Sequence, residues 1–270
     1  MRPWRNEGYR PEPPSAEYAT KWLIIAMMAS ALAALLLENT FGLPVTDALA
    51  LSASRLSRGA VWQPVTYMFL HAGLLHLIFN LLMLWWFGSL VEGSIGRRSY
   101  LELFFGAGIF GGLVQAAASV FTGQPDLITL GCSGGLLGVM VVCAMIAPSL
   151  TVFFSFVIPM KLRTMVIICI FMDLYVALSG QRSGTAVLAH LGGAAFGYGY
   201  WKLCYCRGRS LSRFWEMPLE KLRSMFQANQ RVSDSELDEI LLKVGREGMK
   251  SLSRRERRIL IKASKQKRKN

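Results

Sequence analysis

Three histidines and one glycine-flanked serine carry the chemistry in this sequence: His71, His76, His190 and Ser133. A serine hydroxyl beside an imidazole is the minimum for nucleophilic acyl transfer, because the ring takes the hydroxyl proton while the oxygen attacks a carbonyl. Ser133 stands in Gly131-Cys132-Ser133-Gly134-Gly135. Serine in an apolar helix commonly just packs or bonds back to its own backbone. Glycine on both sides is different, since it lets a second backbone or a substrate come close. A helix beginning there also offers free N–H groups and a positive dipole end to a developing oxyanion. His76 and Asn80 are spaced i, i+4 and so share a helix face. An imidazole and a carboxamide on one apolar face imply something polar to bind; the bland alternative is a hydrogen bond to a neighbouring helix. His190 lies in Ala189-His190-Leu191-Gly192-Gly193, with Gly193 and Gly197 on its own face. Ser133 is followed by a small face through Gly134 and Gly138. Two such faces read as a close packing seam that brings His190 toward Ser133.

The elements that must hold these groups are apolar runs of about 20 residues, each long enough to cross a bilayer of ~30 Å. Of the 270 residues, 53% are hydrophobic. Six spans are expected, at roughly 22–38, 74–91, 100–122, 129–147, 162–179 and 186–203. The first, after a polar Pro-bearing stretch, reads as an uncleaved span rather than a signal peptide. The net charge of +13 is concentrated after Trp201, where 19 Lys/Arg face 8 Asp/Glu. With the tail set aside, eight Lys/Arg fall on the side of both termini, against Arg55, Arg58 and Arg182 on the other. Positive residues stay in the cytoplasm, so both termini are expected there. A nucleic-acid partner is not needed to account for this charge. The long connection 39–73 is amphipathic and is expected to lie in the outer membrane interface. Five cysteines, an odd number without C-x-x-C, argue against a disulfide framework or a zinc site.

Spans 2, 4 and 6 run in the same direction. His76, Ser133 and His190 each fall near the start of one of them, so all three are expected at one level near the outer surface. Independent packing residues would have no reason to share a depth. Glu92 lies at the other end of span 2 and Asp126 in a loop; Asp173 in span 5 is the one acid that position does not exclude. Asp173 is read as a buried hydrogen bond between helices, and a Ser-His dyad is expected, oriented by helix packing rather than by an acid.

In order and spacing, His76-x-x-x-Asn80, Gly131-x-Ser133-Gly134 and Ala189-His190-x-x-Gly193 resemble the motifs of the rhomboid intramembrane serine proteases. The resemblance covers about residues 20–203 and extends to Glu92-Gly-Ser-Ile-Gly96. It implies an all-α, polytopic membrane protein with a six-span bundle. It implies Ser133 as nucleophile, His190 as general base, and His76, Asn80 and the Ser133 N–H as oxyanion hole. Gly131, Gly134, His71 and Gly193 would support the site. It also implies transmembrane proteins as substrates, entering near span 5 and the loop 180–185, with no metal or organic cofactor. Two positions depart from the family pattern: Trp62 is followed by Gln63 rather than Arg, and Leu137 stands where an aromatic residue often stacks on the base. The first departure implies a weaker anchor for the connection 39–73; the second implies either that another contact holds His190 or that activity is modest.

The expected organisation is a polar N-terminal tail at 1–21, a six-span domain at 22–203, and a basic helical cytoplasmic tail at 204–270. In the tail, Ser233 to Glu236 and Ser253 to Glu256 both fit the capping-box pattern, the first opening a helix with Leu237, Ile240, Leu241 and Val244 on one face. Contact with anionic lipid headgroups is one expectation for so basic a segment; a solvated tail that serves orientation alone is the other, with equal weight. The location expected is a cell membrane of bacterial inner-membrane type. Other classes fit less well. A soluble nucleophile elbow needs a strand before its serine. A zinc protease needs H-E-x-x-H. A transporter would show an internal repeat. An inactive rhomboid-like protein that binds membrane clients remains the alternative, although such proteins usually lack the serine or histidine.

Overall fold

The computed structural model describes residues 19–154, 158–179, 186–204, 242–245, 251, 253 and 256. The chain divides into two units, Met1–Leu211 and Ser212–Asn270. In the first, the helices in chain order are α1 (Ala19–Phe41), α2 (Val45–Leu49), α3 (Ala53–Ser57), α4 (Gln63–Thr66), α5 (Leu74–Met83), α6 (Ser89–Ile95), α7 (Arg97–Phe121), α8 (Ser133–Ile146), α9 (Leu162–Leu178) and α10 (Val187–Leu203). A π turn at Leu84–Gly88 joins α5 to α6, so Leu74–Ile95 runs as one helical segment. Ala19–Phe41, Leu74–Ile95 and Arg97–Phe121 are each long and apolar enough to cross a membrane. All six expected spans are helical.

The fourth span starts later than its hydropathy suggests. Apolar residues continue from Leu127 through Ile146, yet α8 begins only at Ser133. Thr129 instead exchanges two backbone hydrogen bonds with Leu51, 3.0 and 2.8 Å. Gly131 then turns with φ +114°, a conformation that suits glycine. At 14 residues, α8 is about 21 Å long, and Gly134 through Ala144 are all buried. An α-helix apolar all round belongs at the centre of a bundle. It packs between α7 and α10.

The connection after α1 is not an open loop but short helices α2, α3 and α4 and a 3₁₀ turn at Tyr67–Phe69. Its inner side is core: Leu51, Tyr67 and Met68 are almost fully buried. The departure at Gln63 does not loosen it. Gln63 Oε1 accepts from the Ser52 N–H at 3.2 Å, while Gln63 Nε2 and Trp62 Nε1 both donate to the Ala48 carbonyl. Tyr67 reaches further, donating its hydroxyl to the Gly108 carbonyl at 2.6 Å, and its own carbonyl accepts from Gly131 N–H. The connection is thereby tied to both α7 and the turn that precedes Ser133.

Glu92 closes the opposite end of the bundle. It is 3% exposed and accepts from the Ala19 N–H (2.6 Å), the Thr20 N–H (2.9 Å) and the Thr20 hydroxyl (2.8 Å). The first amides of a helix lack partners within it and carry the positive end of its dipole, so a carboxylate from α6 caps α1 well.

Besides the Leu51–Thr129 bridge, the described residues include one strand pair. Between α8 and α9, β1 (Thr151–Phe154) pairs antiparallel with β2 (Ile158–Lys161). Val152 and Met160 face each other across the pair and pack onto the core. α9 is buried only through Leu162, Met165 and Val166 near its start; Phe171, Tyr175 and Leu178 are exposed. In the second unit, Ser253 and Glu256 form the expected reciprocal cap, with Ser253 N–H donating to Glu256 Oε2 at 2.6 Å and Glu256 N–H to Ser253 Oγ at 3.3 Å. The expected cap at Ser233, the loop 180–185 and most of the N-terminal tail lie outside the described residues.

Candidate active site

Ser133 is the first residue of α8, His76 the third of α5 and His190 the fourth of α10. All three therefore stand in the first turn of their helices. Ser133 Oγ and His190 Nε2 are 2.7 Å apart, a hydrogen bond between two helices and across 57 residues of chain.

What brings them together is the absence of side chains. A Cβ on Gly193 would overlap the Gly134 carbonyl, and one on Gly197 would overlap that of Gly138. A Cβ on Gly134 would stand 2.8 Å from the Ala189 carbonyl oxygen. Backbone thus lies directly on backbone along α8 and α10, as the spacing of the glycines predicts. Gly131 serves differently. A Cβ there would stand 3.0 Å from His76 Cε1 and 3.8 Å from Ser133 Oγ. Gly131 therefore leaves open the space that His76 and the serine flank.

Asn80 lies one turn beyond His76 and is 6% exposed. Its Nδ2 is buried without a hydrogen-bond partner. A buried unpaired donor costs about 1–3 kcal/mol and needs an explanation. His71 sits behind His76, ring centroids 5.3 Å apart and edge-on, with its Nε2 3.7 Å from Cys132 Sγ. It touches His76 rather than the serine.

Gln115 takes a part that the sequence did not assign, and Asp173 takes its expected part with a partner that the sequence did not assign. Gln115, buried in α7, accepts from the Leu188 N–H at 3.1 Å and so satisfies one free amide at the start of α10. Asp173, read from sequence as an interhelical hydrogen bond, does make one, and its partner is His190. Nδ1 of that ring lies 3.1 Å from Oδ2 and 3.3 Å from Oδ1. Imidazole and carboxylate are 22% and 18% exposed. The signal available for both was a polar side chain inside an apolar run, which in a membrane span is costly without a purpose. Among the described residues, no three His, Cys, Asp or Glu side chains cluster as a metal site.

Fold and site together define a polytopic helical membrane protein in which a serine and a histidine from two helices are hydrogen-bonded at the helix starts. A match to the rhomboid domain covers residues 58–207, and the chain belongs to the rhomboid family. Residues 224–266 match a family of unknown function. The chain is 34% identical to rhomboid protease GluP of Bacillus subtilis over 114 residues, which is 41% of this chain and 22% of that protein. It is 35% identical to rhomboid protease GlpG of Yersinia pestis over 80 residues, 30% and 25% of the respective chains. It is 27% identical to rhomboid-like protease 2 of Toxoplasma gondii over 184 residues, 66% and 62%. In each case the match spans less than two thirds of the relative's length.

Proposed function

We propose that this chain is an intramembrane serine endopeptidase that cleaves transmembrane segments of other membrane proteins. The observation that carries the reading is the 2.7 Å contact between Ser133 Oγ and His190 Nε2, supplied by two helices held together through glycine. Ser133 attacks the scissile carbonyl as His190 takes its proton; His190 then returns the proton to the leaving amine, and water releases the acyl group by the reverse route. The unpaired Asn80 Nδ2, the Ser133 N–H at the start of α8, and His76 serve the oxyanion. Gly131 keeps room for it.

The charge asymmetry supports cytoplasmic termini, with the site near the opposite surface. The division into a tail at 1–21, a six-span protease domain at 22–203 and a basic appendage at 204–270 belongs to the same proposal, as do a bacterial inner-membrane location and contact of the tail with anionic lipid.

The test is cleavage of a reporter transmembrane substrate by the full chain in liposomes. Wild type is expected to cleave. Ser133→Ala and His190→Ala are each expected to lose cleavage with unchanged thermal unfolding, and the double variant to be no worse than either single one. Undiminished turnover by Ser133→Ala would end the serine-protease reading. A folded wild type that binds membrane clients but never cleaves them would favour the inactive rhomboid-like alternative.

A further inference from the structure

We propose that Asp173 is a positioning residue for His190, fixing the ring from α9 so that Nε2 is free to accept the Ser133 proton. The inference rests on the reading of Ser133 as nucleophile and His190 as base, and it replaces the expected dyad with three linked residues.

A neutral imidazole carries one N–H and one acceptor nitrogen, and its partners decide which is which. Ser133 can pass its proton to Nε2 only if the ring's own proton is on Nδ1. An ionised carboxylate has no proton to give, so a carboxylate facing Nδ1 selects that tautomer. Asp173 presents both oxygens to Nδ1, at 3.1 and 3.3 Å. Among the described residues its carboxylate bonds to nothing else.

The surroundings make a purely structural role a poor account of Asp173. Its neighbours on α9 include Phe171, Met172, Leu174 and Tyr175, all exposed apolar or aromatic side chains on the surface of a membrane protein. A carboxylate in such a segment is costly and is retained where it has a charged or polar task. A helix-to-helix hydrogen bond alone could be made by asparagine. Leu137, one turn beyond Ser133, is aliphatic and offers no ring to stack on the imidazole. Both of the ring nitrogens are engaged instead, one by α8 and the other by α9.

During attack, the bond from Ser133 Oγ to the carbonyl carbon forms as the hydroxyl proton moves to Nε2. The resulting imidazolium sits between its substrate and the Asp173 carboxylate, which stays ionised and stabilises the positive ring. The proton leaves Nε2 for the amide nitrogen as the C–N bond breaks.

The experiment compares wild type with Asp173→Asn, Asp173→Glu and Asp173→Ala as full chains in liposomes, reading kcat, KM, thermal unfolding, and ¹⁵N NMR of labelled histidine. His190 resonances are assigned by their loss in His190→Ala. Asp173→Asn is expected to unfold like wild type with KM little changed, while kcat falls roughly 10²–10⁴-fold, as when an acid that sets a tautomer becomes an amide. Asp173→Glu is expected to recover part of the rate. The His190 proton is expected on Nδ1 in wild type and displaced from it in Asp173→Ala. Wild-type kcat in Asp173→Asn, or an unaltered His190 tautomer in Asp173→Ala, overturns the proposal. The NMR arm judges Asp173 without turnover, so a loss of the protease reading, seen as cleavage that survives Ser133→Ala, remains a separate result.

Discussion

Gly193 of α10 rests against the backbone of Gly134 of α8 so closely that a single methyl on Gly193 would overlap the Gly134 carbonyl. Gly134 follows the serine directly, and Gly193 lies three residues beyond the histidine. The seam that packs the bundle is therefore also the hinge on which the 2.7 Å contact between Ser133 and His190 depends. Stability and geometry are set by the same two residues.

Gly193→Ala is accordingly expected to weaken both. Overpacking a tight contact costs about 1–3 kcal/mol. A misplacement on the order of 1 Å between reacting groups can cost ~10²-fold in rate. Thermal unfolding and reporter cleavage measured together check this. Gly199→Ala is the control, since a Cβ there meets no atom within 4 Å; equal behaviour of the two variants would show that the seam does not control the site.

Asn80→Ala is expected to separate rate from stability. The side chain's Nδ2 is buried and unpaired, so its removal relieves a desolvation cost that offsets part of the cavity left behind. kcat should fall roughly 10²–10³-fold, the usual effect of losing one oxyanion donor, while the unfolding temperature stays close to wild type. A variant that unfolds early but cleaves normally would assign Asn80 to packing.

Glu92→Ala should show the opposite pattern. Three donors at the start of α1 lose their acceptor at once. A lost cap with its dipole interaction costs roughly 2 kcal/mol. Glu92 lies 12 residues beyond Asn80 on the same segment, about 18 Å along the helix, so activity at low temperature should persist. The unfolding temperature is the measurement; an unchanged value would mean that water replaces the carboxylate without loss.

In the C-terminal unit, Glu256 has its carboxyl pulled down to about 2, first by the Ser253 N–H and then by Lys243 and the Ser253 hydroxyl. A depressed carboxylate contributes stability that is present above its ordinary value near 4.5 and is lost as pH falls through about 2. The cap should thus survive mild acid. An NMR titration of the Glu256 carboxyl in the full chain reads this directly, and Lys243→Ala should raise its midpoint. A midpoint at the ordinary value would mean that the cap does not form in solution.

The sequence by itself determined the parts with a local signature. Apolar runs of membrane-crossing length marked the six spans, each of which contains helix, because hydrophobicity is read residue by residue, but not the short helices α2, α3 and α4. The helical repeat put His76 with Asn80 and His190 with Gly193 and Gly197, because side chains three and four apart share a face. Glycine on matching faces of two spans even foretold which helices would lie together. The rest depended on neighbours distant in the chain. Thr129 looked helical by hydropathy, but pairing with Leu51 holds it extended and delays α8 to Ser133. Gln115 bonds 73 residues away, to Leu188. Asp173 could be placed in span 5 from its sequence, but whether it faced lipid, another helix or the imidazole was decided only when α9 packed beside α10. Periodicity fixes the face on which a side chain sits; the group opposite that face is chosen by tertiary packing.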